Sequence, residues 1–428
     1  MVANRSNWAG NYTYRAARLH FPETIGQVQE LVRRTNKIKV LGSRHSFNHI
    51  ADSPGDQISL ERFERVYALD HERHTVTVDA GVRYGQLCRQ LHGEGYALSN
   101  LASLPHISVA GACATATHGS GERNGNLATI VSAIELVTAD GEVVVLSRDQ
   151  YKEHGDQFQG AVVGLGGLGV VTKLTLDIVP AFDMRQDVYE NLPLTQLEGY
   201  LEEIVSSAYS VSLFSDWQNE QVNQVWLKRP VADGATFELP PTFFGATLAT
   251  THLHPIPGLS AEPCTEQMGI PGPWYERLPH FRMGFTPSSG EELQSEYLVP
   301  RRHSFAALRA IYDIHDKIAP LLQISEVRTI ASDDLWMSPC YRQACIGIHF
   351  TWKKKPEAVR RLLPLIEESL APFYARPHWG KLFTMPAALV QSLYPKLPDF
   401  QQLLRSYDPQ GKFRNTFLDT YVFGVDGV

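Results

Sequence analysis

The stretch over residues 103–121, Ser-Leu-Pro-His-Ile-Ser-Val-Ala-Gly-Ala-Cys-Ala-Thr-Ala-Thr-His-Gly-Ser-Gly, restricts the fold more than any other part of the chain. Apart from a few punctuating residues its side chains are no larger than threonine, so the backbone there can approach a neighbour closely. Two readings are open: tight packing of a loop on a helix, or a wall against something flat or phosphorylated. Packing has no use for Ser103, Ser108, Thr115, Thr117 and His118 together, and their number speaks for the wall.

A second stretch has a complementary character. An apolar run over 38–41 reads as a strand and leads into Leu41-Gly42-Ser43-Arg44-His45-Ser46-Phe47. Gly42 permits a sharp turn, successive N–H groups can converge on phosphate oxygens, and Arg44 with Ser43 and Ser46 adds donors. Phosphate binding needs no imidazole, so His45 is left for another task. The plain alternative is an ordinary polar turn after a strand.

Around these stretches the chain reads as globular. Its 428 residues are enough for two or three domains. A net charge of −7 gives no basic footprint for nucleic acid. No uninterrupted apolar run is long enough to span a bilayer, and the first dozen residues carry no leader pattern. The 5 cysteines form no Cys-x-x-Cys pair, which suits a reducing compartment such as the cytoplasm and speaks against structural zinc.

Taken in order, Thr24 and Gln27 form a capping-box pattern ahead of a helix ending near Asn36. A strand over 75–78 and a helix over 84–92 follow, then a hairpin of 133–138 and 142–146 around Asp140-Gly141. Residues 164–169, Gly-Leu-Gly-Gly-Leu-Gly, match G-x-G-x-x-G, yet 170–176 alternates as a strand. That argues against a Rossmann site and for a glycine turn between strands, lying against a nucleotide. Beyond Pro180, helices over 195–206, 304–319 and 356–370, the last kinked at Pro364, alternate with strands over 293–298, 323–330 and 345–352. The order predicts an antiparallel sheet with helices on one face, an α+β arrangement. The proline- and histidine-rich 229–290 reads as loops.

Period-two alternation gathers His349 and Thr351 on one face of the 345–352 strand, and Glu326 and Arg328 on one face of 324–330. Neighbouring strands can thus line a polar floor. A solvated sheet face with a surface ion pair is the alternative. Pro377-His378-Trp379-Gly380-Lys381 adds a lysine, which unlike arginine can lose its proton when desolvated or set beside another cation.

Residues 42–46, 103–121, Glu326-Val327-Arg328, His349-Phe350-Thr351 and His378-Trp379-Gly380-Lys381 together resemble the vanillyl-alcohol oxidase superfamily of FAD enzymes. Within it the likeness is to the alditol (xylitol) oxidases, relatives of the aldonolactone oxidoreductases, and it runs from Asn7-Trp8-Ala9-Gly10 to about Phe417. The resemblance implies a two-domain α+β flavoprotein: an FAD-binding domain over 1–181, an antiparallel-sheet substrate domain over 182–381, and 382–428 returning to the first. It implies FAD contacts from Leu41, Gly42, Ser43, Arg44, Ser46, Phe47, Ser103, Ser108, Gly111, Ala112, Cys113, Ala114, Thr115, His118 and Val171, with His45 bonded covalently to the flavin. The family often has glycine where Arg44 stands.

By the same resemblance a polyol would be held by Ser103, Gln294, Glu326, Arg328, Thr351 and Lys381. Lys381 would take the hydroxyl proton, with His349 second in line. Arg328 would steady the oxygen, and Glu326 would anchor Arg328 or accept from a sugar hydroxyl. Oxygen would then be reduced to hydrogen peroxide, in a monomer with no nucleic acid, membrane or metal partner. The rivals are an aldonolactone oxidase or dehydrogenase on the same fold and a flavin-binding protein without turnover. The latter has no need for Glu326, Arg328, His349 and Lys381 together.

Overall fold

A computed structural model describes residues 5–150, 155–231, 239–285 and 291–425. Thr24 caps the helix Ile25–Arg34 by accepting from the Gln27 N–H at 3.2 Å, and Val28, Leu31 and Val32 form its buried side. The amide oxygen of Gln27 accepts from the Glu23 N–H, so the box closes one residue ahead of the cap. The helix delivers the chain to Ile38–Val40, which pairs in parallel with Asp56–Ile58 in a three-stranded sheet completed by Arg18–His20.

A five-stranded antiparallel sheet follows, in the order Val66–Asp70, Thr75–Asp79, Val170–Asp177, Val131–Val137, Val143–Ser147. Its hairpin turns at Gly141, whose φ of +81° glycine adopts at little cost. The glycine run 164–169 lies between the helix Gln157–Val162 and the strand Val170–Asp177, not between two strands as its composition suggested. The small-residue stretch contains a short helix, Val109–Ala114, whose 6 residues are too few to show a helical period.

The larger sheet has ten strands. Its long members run Asp183–Pro193, Gln221–Val231, Ser210–Ser215, Leu322–Ile330, Cys345–Lys353, Glu292–Pro300, each antiparallel to the next. One face carries Ile346, Ile348, Phe350 and Trp352, all 1% exposed or less. Against it pack the helices Ser304–Asp313 and Pro356–Leu370; the second buries Val359, Leu362, Leu363, Ile366 and Leu370 and runs on through Pro364. Each such side chain contributes roughly 1.5–3 kcal/mol when removed from water. The buried Tyr297 hydroxyl donates to Glu367 at 2.8 Å and ties helix to sheet.

The helix expected over 304–319 stops at Asp313 and restarts as His315–Ile318. At the break the His315 Nδ1–H donates to the Tyr312 carbonyl at 2.7 Å, and Ile314 stays half-buried while Leu308, Ile311 and Ile318 are buried. Of the 229–290 region, 232–238 and 286–290 lie outside the described residues. The remainder is mostly loop, but Thr242–Phe243, Ala246–Leu248 and Gly272–Pro273 add short strands to the large sheet.

The C-terminal part returns to the beginning. Ile38 N–H donates to the Lys412 carbonyl at 3.1 Å, and the buried Lys39 ammonium donates to the carbonyls of Leu165, Gly166 and Phe413 at 3.1, 2.9 and 3.2 Å. Asn415 Nδ2 donates to the carbonyls of His49, Ile50 and Asp52 at 3.3, 3.0 and 2.8 Å.

Candidate active site

One cavity of about 380 Å³ runs from the 41–47 loop to the inner face of the large sheet. Its first side is built mainly from backbone. The loop is held from outside: Trp8 N–H donates to the Arg44 carbonyl at 2.8 Å, Asn7 Nδ2 to the Ser46 carbonyl at 2.9 Å, and Phe47 N–H to the Gly380 carbonyl at 2.8 Å. Among the described residues, the N–H groups of Gly42, Ser43, His45 and Ser46 are left without a protein acceptor. Such a run of unpartnered donors on residues that line the cavity can serve as a cradle for anionic oxygens. The 103–121 stretch faces it so closely that a Cβ on Gly42 would sit 3.1 Å from Ser108 Oγ and 3.9 Å from Gly111 Cα. Gly42 is thus needed for proximity, because its φ is not positive.

The left-handed residue is Arg44, at φ +63°. This is the conformation glycine takes freely, so the backbone keeps the shape glycine would give it while arginine bears the strain. His45 stacks on Trp8 with centroids 5.5 Å apart, and its Nδ1 lies 3.1 Å from Ser43 Oγ, which accepts from the Ser108 N–H at 3.1 Å. Burial, then the nearby His106 and Arg83, push the His45 pKa down to about 4, so the ring is a neutral imidazole with a lone pair to offer. A phosphate cradle, a close wall without large side chains and a neutral histidine fit an FAD.

Every residue expected at the cofactor lines the cavity except Cys113. The helix turns that thiol into the core, where it meets Tyr84 OH at 3.8 Å and donates to the Leu127 carbonyl at 3.7 Å, so Cys113 is a packing residue.

The opposite side is the polar floor. Cross-strand register sets Glu296 and Glu326 on either side of His349, Gln294 beside Thr351, and Arg328 beside Gly347. Glu296, absent from the sequence expectation, is the hub. Its Oε1 accepts from Arg328 Nη2 at 2.7 Å and lies 3.2 Å from His118 Nε2; its Oε2 accepts from Lys381 Nζ at 2.5 Å. Burial would raise its carboxyl, but Lys381, His118 and Arg328 hold it well below the ordinary carboxylate range. Gln294, expected here from the resemblance alone, shares the alternating face of the strand Glu292–Pro300 with Glu292 and Glu296, a signal present in the sequence.

Lys381 also donates to His349 Nδ1 at 2.8 Å, and His349 Nε2 lies 3.0 Å from Thr351 Oγ1. Burial lowers the Lys381 pKa against the pull of Glu296, and burial with the adjacent Lys381 pushes His349 down to about 4. Two of the three Nζ substituent directions are therefore taken, and the third is left for a ligand. Arg328 Nη1 lies 3.4 Å from Ser103 Oγ, linking the floor to the small-residue wall, and Asn48 Nδ2 donates to the carbonyls of Trp379 and Lys381 at 2.8 Å each, linking it to the loop. Glu326 meets a further residue missed in the sequence, His280, at 2.7 Å. His254, Pro255, Ile256, His280 and Phe281 bring the 229–290 region over the cavity.

Comparison with known proteins agrees with this arrangement. Residues 16–147 match the family described as FAD binding domain, and 289–421 the family described as D-arabinono-1,4-lactone oxidase. An alditol oxidase from a Streptomyces species is 50% identical across 96% of this chain and 97% of its own length. L-gulonolactone oxidase of Mus musculus is 28% identical, and L-gulono-1,4-lactone dehydrogenase of Mycobacterium tuberculosis 27%, each across 96% of this chain and 97% of its own. The crystal structure of cholesterol oxidase from B. sterolicum superposes with a TM-score of 0.76 at 14% identity, covering 97% of this chain and 96% of that one, and so shares the fold. Among the described residues no helix is long and apolar enough to cross a membrane. The chain is an FAD-binding oxidoreductase and belongs to the alditol oxidase family, within the vanillyl-alcohol-oxidase superfamily.

Proposed function

We propose that this protein oxidises the terminal CH–OH of an alditol of the xylitol or sorbitol type to the aldose, with O2 reduced to H2O2. The observation that carries the proposal is the balanced cluster of Glu296, Glu326, Arg328 and Lys381 facing the cradle across one cavity. Bound FAD supplies the hydride acceptor and the route of electrons to oxygen. Glu326, Arg328, Gln294, Thr351 and Ser103 offer a polyol both donors and acceptors. Arg328 remains charged and orients the reacting oxygen. Lys381, in its neutral form, accepts the hydroxyl proton, while Glu296 fixes its position and His349 is the second candidate. His45 is the attachment point of the flavin.

The same reading takes 1–181 with 382–428 as the FAD-binding domain and 182–381 as the substrate domain. The contacts of Lys39 and Asn415 and the separate sheets support that division. Five buried free cysteines support a reducing, cytoplasmic setting; a monomer is the expected state, to be read by light scattering.

Peroxide release with xylitol, sorbitol and an aldonolactone tests the substrate class. Turnover of polyols is expected; turnover of the lactone alone would install the second reading, an aldonolactone oxidase, which the match over 289–421 favours. Acid precipitation tests the linkage: yellow colour staying with the pellet is expected, and colour in the supernatant would remove the covalent role of His45.

A further inference from the structure

Lys228 is a fully buried lysine outside the cavity lining, on the strand Gln221–Val231. Its ammonium has three protein partners: the carbonyls of Leu278 and Pro279 at 2.6 and 3.0 Å, and His280 Nδ1 at 3.2 Å. His280 is wedged edge-on between Phe214 and Trp226, with centroids 5.4 and 5.3 Å away, so its ring plane is set by packing. Its other nitrogen, Nε2, lies 2.7 Å from Glu326 Oε1.

Burial lowers the Lys228 pKa to about 7, yet only an ammonium has a proton for each of the three acceptors around Nζ. An ammonium must donate to Nδ1, which puts the ring proton on Nε2, where it donates to the carboxylate. If Lys228 were neutral and accepted from Nδ1–H, the bare Nε2 would face a carboxylate oxygen. An imidazolium would face the ammonium. Burial, with Lys228 beside it, pushes the His280 pKa down to about 4, in keeping with a neutral ring.

At the far end, Glu326 Oε2 sits 3.5 Å from Arg328 Nε, and that buried nitrogen has no hydrogen-bond partner among the described residues. An ion-paired acceptor and donor that share no hydrogen bond, 3.5 Å apart, are the complement of one hydroxyl group, which gives one proton and takes another.

We propose that Lys228 and His280 form a positioning pair, which locks Glu326 by one oxygen so that the other, with Arg328 Nε, receives a hydroxyl of the substrate. This rests on the polyol reading above, and it extends the site by two residues that touch neither the reacting carbon nor the flavin. The consequence is a division of labour in which the pair governs binding and leaves the rate of the bound complex to Lys381.

The test compares His280→Leu with His280→Gln, whose amide N–H can replace Nε2–H, and with Lys228→Met, all in the FAD-loaded full chain. His280→Leu is expected to raise KM about 10- to 100-fold, with the limiting rate of flavin reduction changed less than about threefold. His280→Gln is expected to recover most of the KM, and Lys228→Met to raise it less than His280→Leu. An unchanged KM in His280→Leu, or equal loss in Leu and Gln, would overturn the pair. Where His280→Leu does not fold, by flavin absorbance and thermal midpoint, nitrogen-15 histidine NMR decides. The wild-type resonance missing from His280→Gln must belong to a neutral Nε2–H tautomer at pH 7; the other tautomer or the imidazolium would overturn the proposal. This readout needs no turnover. A wild type that oxidises only lactones would remove the polyol reading while the kinetic comparison proceeds with the lactone.

Discussion

The two sides of the cavity are built on opposite principles. The cofactor side uses backbone amides, hydroxyls and absent side chains, drawn from two short contiguous stretches, and its His45 imidazole is neutral. The substrate side uses buried ionisable groups drawn from positions as far apart as 296, 326, 328 and 381, each held by the next. A surface for a flat, permanently held group needs closeness and fixed donors. A surface for a transient, reacting group needs charges, and charges out of water need partners. Damage to the first side should therefore appear as lost flavin or altered stability, and damage to the second as lost rate.

The sharpest way to break this contrast is Lys381→Met. Anaerobic flavin reduction by a polyol is expected to fall about 10²- to 10⁴-fold with the visible flavin spectrum retained; reduction at near wild-type rate would take the proton-accepting role away from Lys381. Glu296→Gln comes next, since it leaves Arg328 and Lys381 buried beside a neutral amide. Stability should drop by about 3–5 kcal/mol in urea titrations of the FAD-loaded protein. A drop nearer that of a surface pair, under about 1 kcal/mol, would mean the floor charges are far better hydrated than their burial indicates.

Acid should act on the same side. A neutral His349 makes the folded protein bind fewer protons than the unfolded chain between pH 4 and 6.5, so its contribution is full above 6.5 and is lost as pH falls toward 4. For this ring the loss is roughly 3 kcal/mol. His349→Asn should flatten the fall of unfolding free energy between pH 7 and 4, and an unaltered curve would refute the neutral ring. The smallest effect belongs to the cofactor side. Arg44→Gly removes strain of about 1–2 kcal/mol, against roughly 0.5–1 kcal/mol of added chain entropy in the unfolded state. A gain of up to about 1 kcal/mol with full flavin retention is expected. Released flavin would show that the guanidinium, not the backbone shape, is what the loop needs.

The same contrast explains what was legible in the sequence. Contiguous stretches announce themselves: the strand-to-loop run ending at Phe47 and the small residues of 103–121 carry their chemistry in consecutive letters. The alternation of 345–352 placed His349 and Thr351 on the cavity face because a pleat has no other way to arrange them. Glu296 was within reach of that same alternation, one step beyond Gln294. His280 and Lys228 were not, because their meeting depends on a loop folding across the sheet, and no local pattern encodes it. Cys113 shows the reverse error, in which membership of a motif was taken for contact, although a helix turn sends one of its neighbours inward. The break at Ile314 was hidden because the apolar spacing continues through it.

The contacts made by residues 412–415 with the strand and loop near residues 38–52 bear on how the molecule comes into being. The strand before the cradle-forming loop and the residues just after it are met by groups 374 and 363 residues later in the sequence. Those flanks are therefore completed only once residues 412–415 have been made, so a chain cut short of them lacks this support for the cradle.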